Sequence, residues 1–384
     1  MQNTKPDNQR EDSPKAHSSD DRRGTTQTIV RFFSRTHAVL MLAAVACALP
    51  AQSQPAIVPF DPPGAVSTTV GGISPEGMIT GGYTDIYTNN HAFLRTPDGQ
   101  FTTFDAPGAS TNISPSGVSI NSAGVITGNY LRYGGVADFG FGPEAYYLFA
   151  GFLRLADGTI FNIDPPNSYS SGPSAINDQG TIVGSYGAAA DGSNHFYGRA
   201  ANGTFTEFNP EPGRIFPASI AINPEGTVTG SYYDTNFISH SFLRTAQGTV
   251  TLFDHPNAAY GTGATSISPS GAITGYYYAD TNYIAHGFVR NQNGQFTTFD
   301  VQGSIGTYPI GIAPNGTIAG GYNDANYQSH GFVRAKNGNI TTFDPQGSLG
   351  TIVSGINPGG MITGYYFYNT NYQTRGFVFQ TKVD

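Results

Sequence analysis

The stretch ATSISPSGAITGYYYADTNYIAHGFVRNQNGQFTTFD, Ala264–Asp300, contains three signals that recur along the chain in the same order. The first is a turn glycine, a second glycine four residues later and a tyrosine two residues beyond it. The second is a motif of the form HGFVR, here called the opening motif. The third is a short run that ends in an aromatic residue or Ile followed by Asp or Asn. The first signal occurs seven times: Gly77/Gly81/Tyr83, Gly124/Gly128/Tyr130, Gly180/Gly184/Tyr186, Gly226/Gly230/Tyr232, Gly271/Gly275/Tyr277, Gly316/Gly320/Tyr322 and Gly360/Gly364/Tyr366.

Each repeat unit is predicted to form four short strands, called a to d in chain order. In the quoted stretch strand a is ATSIS, strand b is ITGYYY, strand c is HGFVR and strand d is FTTFD. The strands are rich in Ile, Val, Thr and aromatic residues, which suit a pleated surface. Between strands c and d, Asp-Gly or Asn-Gly supplies the positive φ of a tight turn. We therefore expect a two-residue hairpin around Asp98-Gly99 that places Ala92 opposite Asp105.

The repeat period is about 44–46 residues in every unit except the second. Four antiparallel strands in such a period are typical of a β-propeller blade. The last unit lacks a strand d, and the segment IVPFD, Ile57–Asp61, precedes the first strand a. The sequence therefore predicts an all-β fold, a seven-bladed β-propeller of four-stranded blades over residues 56–384, closed by the N-terminal strand completing the last blade. The predicted d strands end near residues 61, 105, 164, 209, 254, 300 and 344.

Residues 1–55 have a different composition from the repeats. A basic stretch precedes the apolar run AVLMLAAVACAL, residues 38–49, and small residues follow. This order indicates a polar leader with a secretory signal peptide, too short to span as a transmembrane helix. We expect a secreted protein, extracellular or periplasmic, with no membrane insertion after signal removal. Its only cysteine, Cys47, lies in this leader, so the mature chain would have no disulfide.

The charge of the chain argues against one class of partner. Charged residues make up 11% of the sequence and the formal net charge is −8. No basic run is present outside the leader, so we expect no nucleic-acid partner. We expect a monomer.

The segment HAFLRTPDG, His91–Gly99, resembles the signature of the bacterial extracellular HAF-repeat proteins. This resemblance covers nearly all of the mature chain. Family members commonly have Trp after HAFL, where this chain has Arg95. The resemblance implies an exported repeat protein and implies no catalytic residues.

The recurrent His and Arg of the opening motif are interpreted as structural. A catalytic group is needed once, whereas these residues recur in most units and would point in a different direction in each. An Asp stands six residues before the His in four units, so the His is expected to form a hydrogen-bonded latch between carboxylates at one end of the blade. The residues concerned are His91, His195, His240, His286 and His330, with Asp85, Asp234, Asp280 and Asp324.

The second unit departs from the repeat by an insertion in its b–c connection, Leu131–Ala150. We expect this segment to be a loop at the channel mouth, either a lip over the entrance or a self-packed Ω-loop. The candidate ligand-binding residues are Tyr133, Asp138, Phe139, Phe141, Glu144, Tyr146 and Tyr147, together with His255 in a d–a loop on the same face.

These features predict a non-enzymatic binding or scaffold protein rather than an enzyme. The b–c loops combine Tyr, Asn, Asp and Thr, which suit glycans or cell-surface proteins as partners. The alternative is a lyase or hydrolase acting on polysaccharide, with its site at the channel mouth. No cofactor motif is present, although the DTNY-type loops could offer oxygen ligands to calcium.

Overall fold

The computed structural model describes residues 56–109, 119–138, 142–213 and 215–381. These residues form 28 β-strands in seven four-stranded antiparallel sheets, and no α-helix occurs among them. The all-β, seven-bladed propeller predicted from the repeats is confirmed. The predicted leader, residues 1–55 with its apolar core 38–49, lies outside the described residues. Within the described ranges, no helix is long and apolar enough to cross a membrane.

The strands follow one another in the order expected for blades. The first is β1 (Ile57–Phe60), and blade 1 contains β2 (Ala65–Ile73), β3 (Ile79–Asp85), β4 (Asn90–Arg95) and β5 (Phe101–Phe104). Blade 2 contains β6 (Ser119–Ile120), β7 (Ile126–Asp138), β8 (Pro143–Arg154) and β9 (Ile160–Asn162). Blade 3 contains β10 (Ser168–Ile176), β11 (Ile182–Ala188), β12 (Asn194–Arg199) and β13 (Phe205–Phe208).

The remaining blades repeat this pattern. Blade 4 contains β14 (Phe216–Ile222), β15 (Val228–Tyr233), β16 (Ser239–Arg244) and β17 (Val250–Phe253), and blade 5 contains β18 (Thr262–Ile267), β19 (Ile273–Tyr278), β20 (Ala285–Arg290) and β21 (Phe296–Phe299). Blade 6 contains β22 (Gly306–Ile312), β23 (Ile318–Asn323), β24 (Ser329–Arg334) and β25 (Ile340–Phe343). Blade 7 contains β26 (Gly350–Ile356), β27 (Met361–Phe367) and β28 (Thr374–Gln380) together with β1. The d strands end one or two residues before the predicted positions.

The N-terminal strand closes the ring. β1 pairs antiparallel with β28, with Ile57 opposite Phe379 and Phe60 opposite Gly376. The a strands contact one another in a closed cycle, from β2 and β6 around to β26 and β2. Strand a of each blade is therefore innermost and surrounds the central channel, and pairing of β1 covers what would otherwise be an open sheet edge.

The two signature glycines have separate structural causes. Gly77 ends the a–b turn at a φ of +88°, a conformation that L side chains rarely adopt. Gly81 lies in strand b, where a Cβ would stand 2.1 Å from the carbonyl oxygen of Thr69 and 2.9 Å from the Phe93 ring. The second glycine thus lets the bulged strand a and the strand c phenylalanine close on strand b.

The c–d connection differs from the two-residue hairpin expected. In blade 1 the Thr96 N–H donates to Gln100 and the Gly99 N–H donates to Thr96, which is a type I turn followed by a bulge at glycine. Pro97 suits the first central position of that turn because its φ is fixed near −65°. Ala92 therefore pairs with Phe104 rather than Asp105, and His91 comes level with Asp105.

The recurrent arginine of strand c joins adjacent blades. The Arg95 guanidinium lies over the ring of Phe60 in the preceding blade, at 5.0 Å from its centroid. Blades 2, 4, 5 and 6 repeat this contact with Arg154 on Phe104, Arg244 on Phe208, Arg290 on Phe253 and Arg334 on Phe299. In blade 7, Phe379 takes the arginine position and packs on Phe343 with ring centroids 4.8 Å apart. The arginine is therefore part of the framework.

Removal of the Phe60 side chain tests ring closure. Phe60 is 8% exposed, and its ring contacts those of Phe93 and Phe101 as well as Arg95. Phe60→Ala is expected to lower the free energy of unfolding by about 3–5 kcal/mol in urea denaturation. Val58→Ala is the control because Val58 lies on the same strand and is 47% exposed; it should change stability by less than about 0.5 kcal/mol. Equal stability of the two variants would contradict closure by β1.

Candidate functional site

The b–c loops carry the same turn as the glycine hairpins but place an aromatic residue at the glycine position. In blade 4 the Gly248 N–H donates to the Thr245 carbonyl at 2.9 Å, and the Phe237 N–H donates to the Asp234 carbonyl at 3.0 Å. Gly248 has a φ of +98°, and Phe237 has a φ of +60°. Phe237 therefore occupies a left-handed conformation that glycine would adopt without strain.

Four consecutive blades share this feature. In blades 4 to 7 the residues at positive φ in this turn are Phe237, Tyr283, Tyr327 and Tyr372, here called the tip aromatics, and blade 1 has Thr88 at the same position with a φ of +68°. The exposed fractions of the tip aromatics are 72%, 59%, 80% and 79%, so burial in the core does not offset the backbone strain. Strained residues that persist on a surface are typical of functional sites. The b–c loops were expected from the sequence to bind a partner, but these four residues were not among the candidate ligand-binding residues.

The tip aromatics of blades 6 and 7 flank a groove. Tyr327 and Tyr372 line a cavity of about 390 Å³ together with Leu349 and Phe367. Its other side chains belong to Gln328, Ser329, Asn369 and Thr370, all of them uncharged. The groove therefore combines exposed rings with neutral hydrogen-bonding groups.

The carboxylate of the repeated Asp lies closer to the backbone N–H groups of the b–c loop than to the histidine. The Asp234 carboxylate accepts hydrogen bonds from the backbone N–H of Ile238 at 2.8 Å and of Asn236 at 2.9 Å. The Ile238 N–H lowers the pKa of Asp234 by favouring its ionised form. The same carboxylate lies 3.9 Å from His240 Nε2, a longer contact. Asp85 and Asp324 behave alike, at 3.5 and 3.7 Å from their histidines.

Asp280 departs from the predicted latch. Its carboxylate accepts from the Asn282 N–H at 2.9 Å, and among the described contacts His286 pairs with Asp300 at 3.0 Å and not with Asp280. The expected position of His286 between two carboxylates is therefore wrong. The first Asp is used by the turn that presents Tyr283.

The histidines contact the Asp that follows strand d. His91, His240, His286 and His330 each place Nδ1 within 2.7–3.0 Å of that carboxylate. Each ring also packs beside the repeat tyrosine on strand b, as with Tyr322 and His330, whose centroids are 5.0 Å apart. His195 differs because it lies near Asn209 and Glu207. In every case the contact joins strands c and d, in the outer half of the blade and away from the channel.

His255 does not reach the ligand-binding face. Its side chain is buried and stacks on Tyr277 with ring centroids 3.7 Å apart. Nε2 lies 3.1 Å from the Thr298 hydroxyl, and burial lowers the pKa of the imidazole. The prediction of a ligand-binding role for His255 is corrected: the residue packs within the blade interface because Tyr277 and Phe296 enclose it.

The insertion of blade 2 is a β-hairpin rather than a lip or an Ω-loop. β7 and β8 continue past the ends of the other b and c strands and pair as far as Asp138 and Pro143. Alternation along the strands places Tyr133 and Tyr147 on one face, with ring centroids 6.2 Å apart, and both are exposed.

The other described candidate residues of the insertion, Tyr146 and Glu144, do not join this pair. Tyr146 packs on the opposite side, against the chain at Gly134 and Gly135. Glu144 is exposed near the hairpin end. Phe139, Phe141 and the side chain of Asp138 lie outside the described residues. Among the described side chains of the insertion, the hairpin brings together two of the predicted residues, Tyr133 and Tyr147.

Within the described ranges, no group of three or more His, Cys, Asp or Glu side chains is arranged to hold a metal ion. The carboxylates of the b–c loops instead accept hydrogen bonds from their own backbone. A calcium role for these loops stays a sequence prediction.

Replacement of His286 by Ala tests its structural role. The change removes the hydrogen bond to Asp300 and should lower the free energy of unfolding by about 0.5–1.5 kcal/mol. Thermal or urea denaturation measures the effect. Unchanged stability would overturn the structural interpretation.

Tyr327 and the matching glycine of the same blade test the strain at the tips. Tyr327→Gly should be about 1 kcal/mol more stable than Tyr327→Ala, because both remove the ring and only glycine relaxes the left-handed backbone. Gly338 makes the equivalent turn at a φ of +96°, with only Arg334 within reach of an added Cβ. Gly338→Ala should therefore lose a similar amount in urea denaturation. A Tyr327→Gly variant no more stable than Tyr327→Ala would show that the tip carries no strain.

The comparisons with known proteins concern the fold. No protein-family model matches the sequence, and no curated protein matches it. Among solved structures, a streptogramin B lyase aligns with a TM-score of 0.56 and 15% identity, covering 84% of this chain and 97% of that chain. Virginiamycin B lyase from Staphylococcus aureus aligns with a TM-score of 0.56 and 14% identity, covering 85% and 99%. At these identities the likeness shows a shared propeller fold alone.

Proposed function

We propose that this protein is an exported, non-enzymatic polysaccharide-binding propeller that binds through the tip aromatics and the groove between them. The observation that carries the proposal is the left-handed backbone at Phe237, Tyr283, Tyr327 and Tyr372. The a–b and c–d turns use glycine at this position, whereas the b–c turns of four consecutive blades keep an aromatic side chain there despite its conformational cost.

The chemistry of the groove favours a glycan over a protein partner. Sugar rings present flat apolar faces edged by hydroxyl groups, which match an exposed aromatic ring beside neutral amides and hydroxyls. Tyr327 and Tyr372 supply the rings, and Gln328 and Asn369 supply amides in the same cavity. Protein interfaces instead centre on a packed apolar core, and the tip aromatics are separate residues on separate blades.

Repetition of the tips favours binding over turnover. Equivalent rings on four blades can contact one long chain at several points, and such multivalency raises affinity without any new type of contact. Catalysis instead needs one asymmetric arrangement of groups. The similarity to lyases concerns the fold, and turnover remains the alternative outcome of the experiment below.

Affinity electrophoresis through gels containing neutral polysaccharides tests this function. Glucan, xylan and mannan are used in turn, and the double variant Tyr327→Ala/Tyr372→Ala is compared with the unaltered protein. Loss of both rings should weaken retention about tenfold or more, equivalent to about 1.4 kcal/mol.

Phe161→Ala is the matched control because Phe161 is an exposed aromatic on strand d, away from the b–c loops. Its retention should equal that of the unaltered protein. Reducing-sugar assays run on each retained polysaccharide. Retention that does not depend on the tips would contradict the proposal, and product formation would establish the lyase or hydrolase alternative.

A further inference from the structure

A second cavity lies between blades 2, 3 and 4, apart from the groove of blades 6 and 7. Its volume is about 430 Å³, within the range of roughly 300–1,000 Å³ common for small-ligand sites. Four aromatic rings contribute to its wall: Phe149 from blade 2, Tyr169 and Tyr186 from blade 3, and Phe216 from blade 4. Phe149 belongs to β8 of the extended hairpin, so the insertion of blade 2 helps to build this cavity.

The polar groups of the wall that the structure describes are neutral. Ser170, Ser185 and Asn194 line the cavity, and no Asp, Glu, Lys, Arg or His does so among the described residues. The hydrogen bonds among the described residues leave the side chains of these three residues unengaged. Hydroxyl and amide groups without a protein partner are available to hydrogen-bond a ligand. The wall therefore suits a ligand that offers several hydroxyl groups.

Two contacts fix the aromatic part of the wall. A Cβ on Gly187 would stand 2.3 Å from the Tyr169 ring, so the absence of a side chain there seats that ring against strand b. Phe216 stacks on Phe237 with centroids 5.5 Å apart and an interplanar angle of 16°. Because Phe237 is the tip aromatic of blade 4, the cavity adjoins the proposed polysaccharide-binding surface.

We infer that this cavity is a subsite for a single uncharged sugar unit of the bound chain, an inference that rests on the proposed function. Its rings would stack on the sugar face, and Ser170, Ser185 and Asn194 would hydrogen-bond its hydroxyls. A uronic acid would bring a carboxylate into a recess whose wall holds no opposite charge, which is unfavourable. The site therefore selects neutral over acidic glycans.

Ser174 allows the cavity to be filled without disturbing the core. It lines the cavity and is exposed, so Ser174→Trp places a large ring in the recess while Ser174→Ala keeps it open. Isothermal titration uses short neutral gluco-, xylo- and manno-oligosaccharides, with oligogalacturonate as the acidic probe. At least one neutral oligosaccharide should bind with one site per chain, Ser174→Trp should weaken it about tenfold or more, and Ser174→Ala should leave it unchanged.

The outcomes separate this inference from the proposed function. The Tyr327→Ala/Tyr372→Ala variant should lose retention on polysaccharide yet keep the affinity for the short oligosaccharide. Undiminished binding by Ser174→Trp, preference for oligogalacturonate, or tip-dependent retention of polysaccharide without oligosaccharide binding would overturn the subsite alone. Failure of every polysaccharide and oligosaccharide to bind would overturn both.

Discussion

The antiparallel pairing of β1 with β28 closes the ring of seven blades. It adds the fourth strand to blade 7 and brings the first and last segments of the repeat region into one sheet. Side chains then join blade 7 to blade 1: Thr374 donates its hydroxyl to the Thr68 carbonyl at 2.7 Å, and the Asn357 amide donates to the Ser74 carbonyl at 3.2 Å. The same amide contact links blades 2 to 3, 3 to 4 and 4 to 5. The interface between blades 7 and 1 is thus held by the same kind of hydrogen bond as other blade interfaces.

The framework and the loop tips use one turn in two ways. At the a–b and c–d ends the turn carries glycine, which adopts a positive φ at little cost. At the b–c end four blades carry Phe or Tyr instead, held by an Asp or Asn whose side chain binds the loop backbone. The recurrent His, Arg and strand b Tyr lie in blade contacts, whereas the tip aromatics face solvent.

The sequence predicted the number of blades, the closing strand and the ends of the d strands to within two residues, because strict spacing reports on backbone geometry. Local details were harder to predict. The c–d turn adds a bulge, which shifts Ala92 from Asp105 to Phe104. His255 follows strand d as a loop residue would, yet stacking on Tyr277 buries it. Tip conformation depends on φ, which composition does not reveal, although the recurrence of Asn before Phe237, Tyr283, Tyr327 and Tyr372 was a usable signal. The insertion gave no clear alternation, and it is the continued pairing of β7 with β8 as far as Asp138 and Pro143 that identifies it as a hairpin.

A disulfide between β1 and β28 tests whether the ring is closed. The paired residues Val58 and Val378 would be replaced by Cys in a Cys47→Ala background, since Cys47 is the only native cysteine. Directly opposite residues have Cα atoms about 4.5–5.5 Å apart, within disulfide range, whereas a shift of one residue turns the side chain to the other face of the sheet. Peptide mass spectrometry of the oxidised monomer should find Val58→Cys joined to Val378→Cys in nearly all molecules, and little cross-link for Val58→Cys with Phe379→Cys. Equal yields, or a disulfide found only between molecules, would contradict closure of the propeller by its N-terminal strand.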